Sequence, residues 1–128
     1  MNKQFLLGDP KIDDQHIELF VLIERLVASE HSPSPEESAS LILGQLGERL
    51  FQHFQSEELL MADLGFPGQL FSRHVEAHMT ILEELAHIHW VAMMGHAKPL
   101  AEVIDFVKTS IEQHLIEFDL ALKPYMGF

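Results

Sequence analysis

The 128-residue chain contains no cysteine. That excludes disulfides, thiolate metal ligands and iron–sulfur clusters, so any metal must be held by histidine and carboxylate. Basic residues are scarce, 8 lysines and arginines against 20 aspartates and glutamates, and the formal net charge is −12. Such a surface repels phosphate backbones and anionic lipid, which argues against nucleic acid or membrane partners. The apolar run in MNKQFLLGD is too short for a signal peptide, and no stretch approaches the length of a membrane span. A soluble, cytoplasmic protein is expected. Internal repeats, low-complexity tracts and alternating strand-like segments are absent too.

What remains is a folding sequence, 47% hydrophobic, of a size that suits one domain over residues 1–128. Clusters of Gly, Pro and Ser at HSPSP (31–35), GFPGQ (65–69) and GHAKP (95–99) divide it into four segments of helical length. The first, about Asp13 to Glu30, carries His16, Phe20, Ile23 and Val27 on one stripe. The second opens with Ser34 as a cap, Pro35 at the first helical position and Glu37 to complete a capping box. It ends near Leu64, with Gly65 in the place of a C-terminal cap. Gly44 and Gly47 inside it lower helix propensity, which a close helix contact would compensate.

The third segment runs from about Leu70 to Met94, with Gly95 as its stop and His74, His78, Ile81, Leu85, Ile88 and Ala92 as its stripe. The fourth starts near Pro99 and ends before Pro124, with Val103, Phe106, Val107, Ile111, His114 and Phe118. Four amphipathic helices with short connections predict an all-α, antiparallel up-down-up-down four-helix bundle. Ahead of it lies a non-helical N-terminal arm, anchored by Phe5, Leu6 and Leu7.

Nine histidines are many for this length. HVEAH (74–78) places two of them at i, i+4, on one helical face. It is not the protease motif HExxH, because Glu76 lies about 200° round the helix from His74. Taken alone the pair is weak, since roughly one such pair arises by chance among so many histidines. Depth changes the weighting. His16 is near the start of helix one, His53 and Glu57 near the end of helix two, His74 and His78 near the start of helix three, and His114 and Asp119 near the end of helix four. In an antiparallel bundle these positions share one end. Five imidazoles and two carboxylates converging there would bury polar groups at severe cost unless a metal centre removes it.

One spacing is awkward. Residues five apart on an α-helix differ by roughly 140°, so His114 and Asp119 cannot both face one atom. Two metal ions, or a π-type widening of the turn, would relieve this. Spacing alone does not choose Asp119 over Glu117.

The motifs IDDQH (12–16), HFQSEE (53–58), HVEAH (74–78) and HLIEFD (114–119), in this order and over nearly the whole chain, resemble the hemerythrin family and its single-domain bacterial members. The resemblance implies two iron ions in a non-heme centre that binds O₂ reversibly. It assigns His74, His78 and His114 to one iron and His16 and His53 to the other. Glu57 and Asp119 bridge them, together with an oxo or hydroxo group, which settles Asp119 over Glu117. Six donors would then surround the first iron and five the second, leaving one position for O₂.

Phe54 and Ile111 are expected to wall that position, and acceptors for the outer imidazole N–H groups are expected but not identified. An oxygen carrier, store or delivery protein follows, not primarily an enzyme. The alternatives are an O₂ or redox sensor acting through a separate signalling partner, and a di-iron oxidase, peroxidase or NO-handling enzyme. His31, His87, His89 and His96 read as surface or boundary residues, Glu58 as a solvated charge, and Met61, Met79, Met93 and Met94 as core or boundary filler.

Two positions depart from the family pattern. Ser110 stands where a tryptophan is common, four residues before His114, and Phe5 replaces a tryptophan of the arm. The smaller, polar Ser110 would open a path beside the O₂ position, so autoxidation should be faster than in tryptophan-containing relatives. Ser110→Trp should slow the appearance of ferric protein in air; equal rates in the two proteins would reject the idea.

Overall fold

A computed structural model of the chain describes residues 7–93 and 99–125. Four helices account for most of it: α1 (Pro10–Ala28), α2 (Pro35–Asp63), α3 (Gly68–Met93) and α4 (Leu100–His114). No strand occurs among the described residues. The helices pack antiparallel, α1 against α2 and α4, and α3 against α2 and α4, the expected four-helix bundle. No helix is long and apolar enough to cross a membrane. The predicted roles of Phe5, Leu6, Gly95 and His96, and of the Met93 and Met94 side chains, lie outside the described residues.

Local chemistry sets the helix ends. Pro10 occupies the first position of α1, and the Asp9 carboxylate accepts from Ile12 N at 3.1 Å. This cap starts the helix three residues earlier than the stripe suggested. Asp13 then accepts from Leu7 N (2.6 Å) and Gly8 N (3.0 Å), which turns the arm onto the bundle. Helix α2 starts at Pro35 as expected, but Ser34 makes no capping hydrogen bond, so the capping box does not form. Its end is better marked. Gly65 takes φ +65°, Gly65 N donates to Ala62 O and Phe66 N to Met61 O, a Schellman closure that needs the glycine.

Helix α4 does not run straight to Pro124. It passes after His114 into a π turn over Leu115–Asp119, then into a 3₁₀ segment over Leu120–Tyr125. The i→i+5 bonding of the π turn brings residues five apart round to one face. That resolves the 140° conflict between His114 and Asp119.

Two apolar clusters fill the bundle. The larger joins Leu19, Leu26, Leu46, Leu50, Val107 and Ile111 among others, and the smaller joins Leu7, Ile12, Met61, Phe66 and Leu122. The smaller one lies a turn beyond His16, Glu57 and Asp119 toward the chain ends, so the polar residues sit between two dry layers. Three expectations fail in detail. Val27 and Phe106 are exposed, because α1 turns Leu19, Leu22 and Leu26 inward and α4 turns Ile104 inward. Met79 is exposed rather than core filler, whereas Met61 is fully buried.

The two glycines of α2 do not mark a tight crossing. A methyl at Gly47 would lie 3.7 Å from Leu85 Cδ2, and one at Gly44 4.0 Å from His89 Cε1, both ordinary contacts. Gly44→Ala and Gly47→Ala should therefore each stabilise the protein by about 0.5–1 kcal/mol. Chemical denaturation checks this; a loss of stability would show that the interface needs the bare backbone.

Candidate metal centre

The structure brings all seven predicted site residues together, and each is buried. They form two overlapping groups. His74, His78 and His114 meet with Glu57 and Asp119, and His16 and His53 meet with the same two carboxylates. Within each group one donor atom per residue lies within 4.8 Å of the others. Asp119 sits at the centre: its carboxylate oxygens lie 3.1 Å from His16 Nε2, 3.0 Å from His74 Nε2 and 3.0 Å from His114 Nε2. Glu57 Oε1 lies 3.1 Å from His53 Nε2 and 3.3 Å from His78 Nε2. Glu76 and Glu117 are exposed and take no part.

Burial and crowding set the charge states. Burial pushes the Glu57 carboxyl well above the usual range, and neighbouring Asp119 and Glu58 push it further. Burial acts in the same direction on Asp119, but four surrounding imidazoles, led by His114 and His16, outweigh it and hold the group well below its ordinary value. Burial, with His114 and His74 close by, pushes His78 down to about 2. One carboxyl is thus pushed toward its neutral form and the other toward its ionised form. Among the described residues, only histidines pair with either.

This polar cluster does not satisfy itself. Both Glu57 oxygens, His78 Nε2 and both His114 ring nitrogens are buried without a well-aligned hydrogen bond, even where a neighbouring nitrogen or oxygen lies within 3.3 Å. Buried polar atoms are normally partnered, and leaving one unpaired costs about 1–3 kcal/mol. Five such atoms in one cluster, most facing inward, fit a bound cation. Imidazole nitrogens and carboxylate oxygens are donors that suit iron.

Two supports were not legible in the sequence. Gln15 Nε2 donates to Ser56 Oγ at 3.0 Å, so its Oε1 faces His53 Nδ1 at 2.8 Å. Glu58 Oε2 lies 2.9 Å from His78 Nδ1. Each partner fixes a ring with Nδ1–H outward and the Nε2 lone pair inward, as metal-ligating histidines require. Glu58 is therefore not a free surface charge. Its direction, about 100° from Glu57, aims it at α3 rather than at solvent. Aromatic rings hold the remaining orientations. Phe54 stacks on His78 at 3.9 Å and 9°, and Phe118 on His114 at 5.2 Å and 20°.

Phe54 and Ile111 line a small cavity against His53, His114 and Asp119. Ser110 does not reach that cavity; it lines the next one outward. His87 is exposed, His31 lies exposed in a 3₁₀ turn, and His89 is half-buried with Ser40 Oγ 3.1 Å from Nε2.

Fold and donor set define a four-helix bundle whose core could hold a pair of metal ions between shared carboxylates. Comparison with known proteins carries this further. The chain is 28% identical over 120 residues to a bacteriohemerythrin of Clostridium acetobutylicum, covering 91% of this chain and 92% of that one. It is 27% identical over 122 residues to hemerythrin-like proteins of Naegleria gruberi and Naegleria fowleri, covering 95% of this chain and 88% of theirs. No family profile and no solved structure matches. By these likenesses, and with its buried His, Glu and Asp cluster, the chain is similar to hemerythrins over nearly its whole length.

If Glu58 and Gln15 orient ligands, Glu58→Ala and Gln15→Ala should each weaken metal binding by roughly 10–100-fold. Competition with a chelator measures this, with exposed Glu37→Ala as control. Affinities equal to the control's would contradict the role.

Proposed function

We propose that the chain binds O₂ reversibly at a di-iron centre, as a carrier, store or delivery protein and not primarily as an enzyme. The observation that carries the reading is the asymmetry of the donor set. Both groups share Glu57 and Asp119, but three histidines serve one and two the other. The His16–His53 side is one donor short, and the small apolar cavity adjoins it at His53.

In this reading His74, His78 and His114 would hold one iron and His16 and His53 the other, with Glu57 and Asp119 offering a carboxylate to both. Two ferrous ions so held would supply reversible two-electron chemistry toward O₂. The protein's part is to hold and to shelter. Gln15 and Glu58 keep His53 and His78 in the tautomer that offers Nε2 inward. Glu57 gives up the proton that burial favours in the metal-free fold, so metal uptake releases protons. Phe54, Leu50, Ile81 and Ile111 close the cavity with hydrocarbon, which disfavours entry of water and departure of charged oxygen species. An apolar wall suits binding and release better than turnover.

Anaerobic loading with ferrous salt tests this. The protein should take up two equivalents, develop charge-transfer absorption on exposure to air, and lose it on deoxygenation. Irreversible conversion to ferric protein with O₂ consumption would contradict the carrier reading.

A further inference from the structure

Three spaces lie in series along the seam between α3 and α4. The outermost is an open groove of about 550 Å³, lined by Glu83, Glu84, Glu102, Asp105 and Phe106 among others. Beneath it is a small cavity of about 10 Å³, which Ser110 and Val107 line. Glu84 and Phe106 line both the groove and this cavity. The innermost cavity, of similar size, is the one against His53, His114 and Asp119. Leu50, Ile81 and Ile111 line both small cavities. Two narrow side-chain constrictions therefore lie between the groove and the candidate metal centre. Phe106 precedes His114 by eight residues, so the route covers about 12 Å along α4.

We infer that this seam is the entry route for a small neutral ligand, and that its mouth discriminates against anions. The inference rests on the functional reading above for the identity of that ligand. Glu84 and Phe106 form the outer constriction, and Leu50, Ile81 and Ile111 the wholly apolar inner one. Half-buried Ile81 and exposed Phe106 can change rotamer without disturbing the backbone. A diatomic gas needs no hydrogen-bond partner between the apolar walls, whereas an anion stripped of water pays heavily there. Four carboxylates at the mouth add a repulsive field, and among the described residues His87 is the only basic side chain lining the groove. Azide and similar ligands of ferric iron are thus refused twice, by field and by desolvation. Ser110 marks the half-way point, and a larger side chain there would fill the outer cavity.

Two measurements test the route on the full-length protein. Crystals under xenon pressure should show xenon in both small cavities, with or without iron; xenon in neither would overturn the route. In the iron-loaded ferrous protein, flow kinetics should show O₂ association slowed several-fold by Ile81→Phe and by Ser110→Trp, and quickened by Ile81→Ala. Unchanged association in all three would overturn the route even if O₂ binds reversibly. Ser110→Trp sits at a half-exposed position and keeps the test open should Ile81→Phe fail to fold. For the mouth, Glu83→Gln with Glu84→Gln should speed azide binding to ferric protein several-fold and leave O₂ association alone, whereas Glu37→Gln should change neither. Equal azide rates in all three proteins would overturn the discrimination. A protein that takes up no iron would contradict the functional reading, and the xenon result would still decide the route.

Discussion

Everything in this bundle turns on two carboxylates with no solvent contact and no lysine or arginine paired to them among the described residues. Glu57 and Asp119 are both 0% exposed, and five imidazoles crowd round them. Taking such groups out of water is costly unless charge and hydrogen bonding are restored. The imidazoles restore part of it, through close approaches to Asp119. They leave Glu57, His78 and His114 with inward-facing atoms that nothing in the protein satisfies. A cation shared between the carboxylates would complete the cluster. The apolar layers above and below it raise the cost of the empty arrangement and strengthen the filled one, because charges attract more strongly where the dielectric is low.

Much of this was legible in the order of residues. Turn clusters divided the chain into four helices, and i, i+4 spacings at His53–Glu57 and His74–His78 set ligand pairs on single faces. Antiparallel packing then forced both pairs, with His16 and His114, to one end. The conflict between His114 and Asp119 was also visible in advance, and the π turn is its physical resolution. Other features depended on tertiary reach, which periodicity does not encode. Glu58 points away from Glu57, and only the position of α3 turns that into a contact with His78. Gln15 gains its role from Ser56 on the neighbouring helix, forty-one residues away in sequence. Asp9 and Ser34 show the limit of local signals: the less conspicuous residue caps its helix and the better motif does not. Val27 and Phe106 show that a stripe fixes a face only to within one position.

The difference of one histidine between the two donor groups links structure to function. A symmetric set would give two ions equal numbers of protein donors, and nothing in the donor count would direct a ligand to one of them. Here the smaller donor group is His16 and His53, and a small hydrocarbon-walled cavity lies beside His53 and His114. The orientation of the rings depends on α1 and α2, through Gln15, Glu58 and Phe54, while the small cavities follow from how α3 and α4 pack on them.

Anomalous diffraction at the iron edge, from crystals of ferrous-loaded protein, tests the shared-carboxylate centre most directly. Two peaks are predicted, both within bonding reach of Glu57 and Asp119, one flanked by His74, His78 and His114 and the other by His16 and His53. A single peak, or ions elsewhere with the seven side chains left as they are, would contradict it.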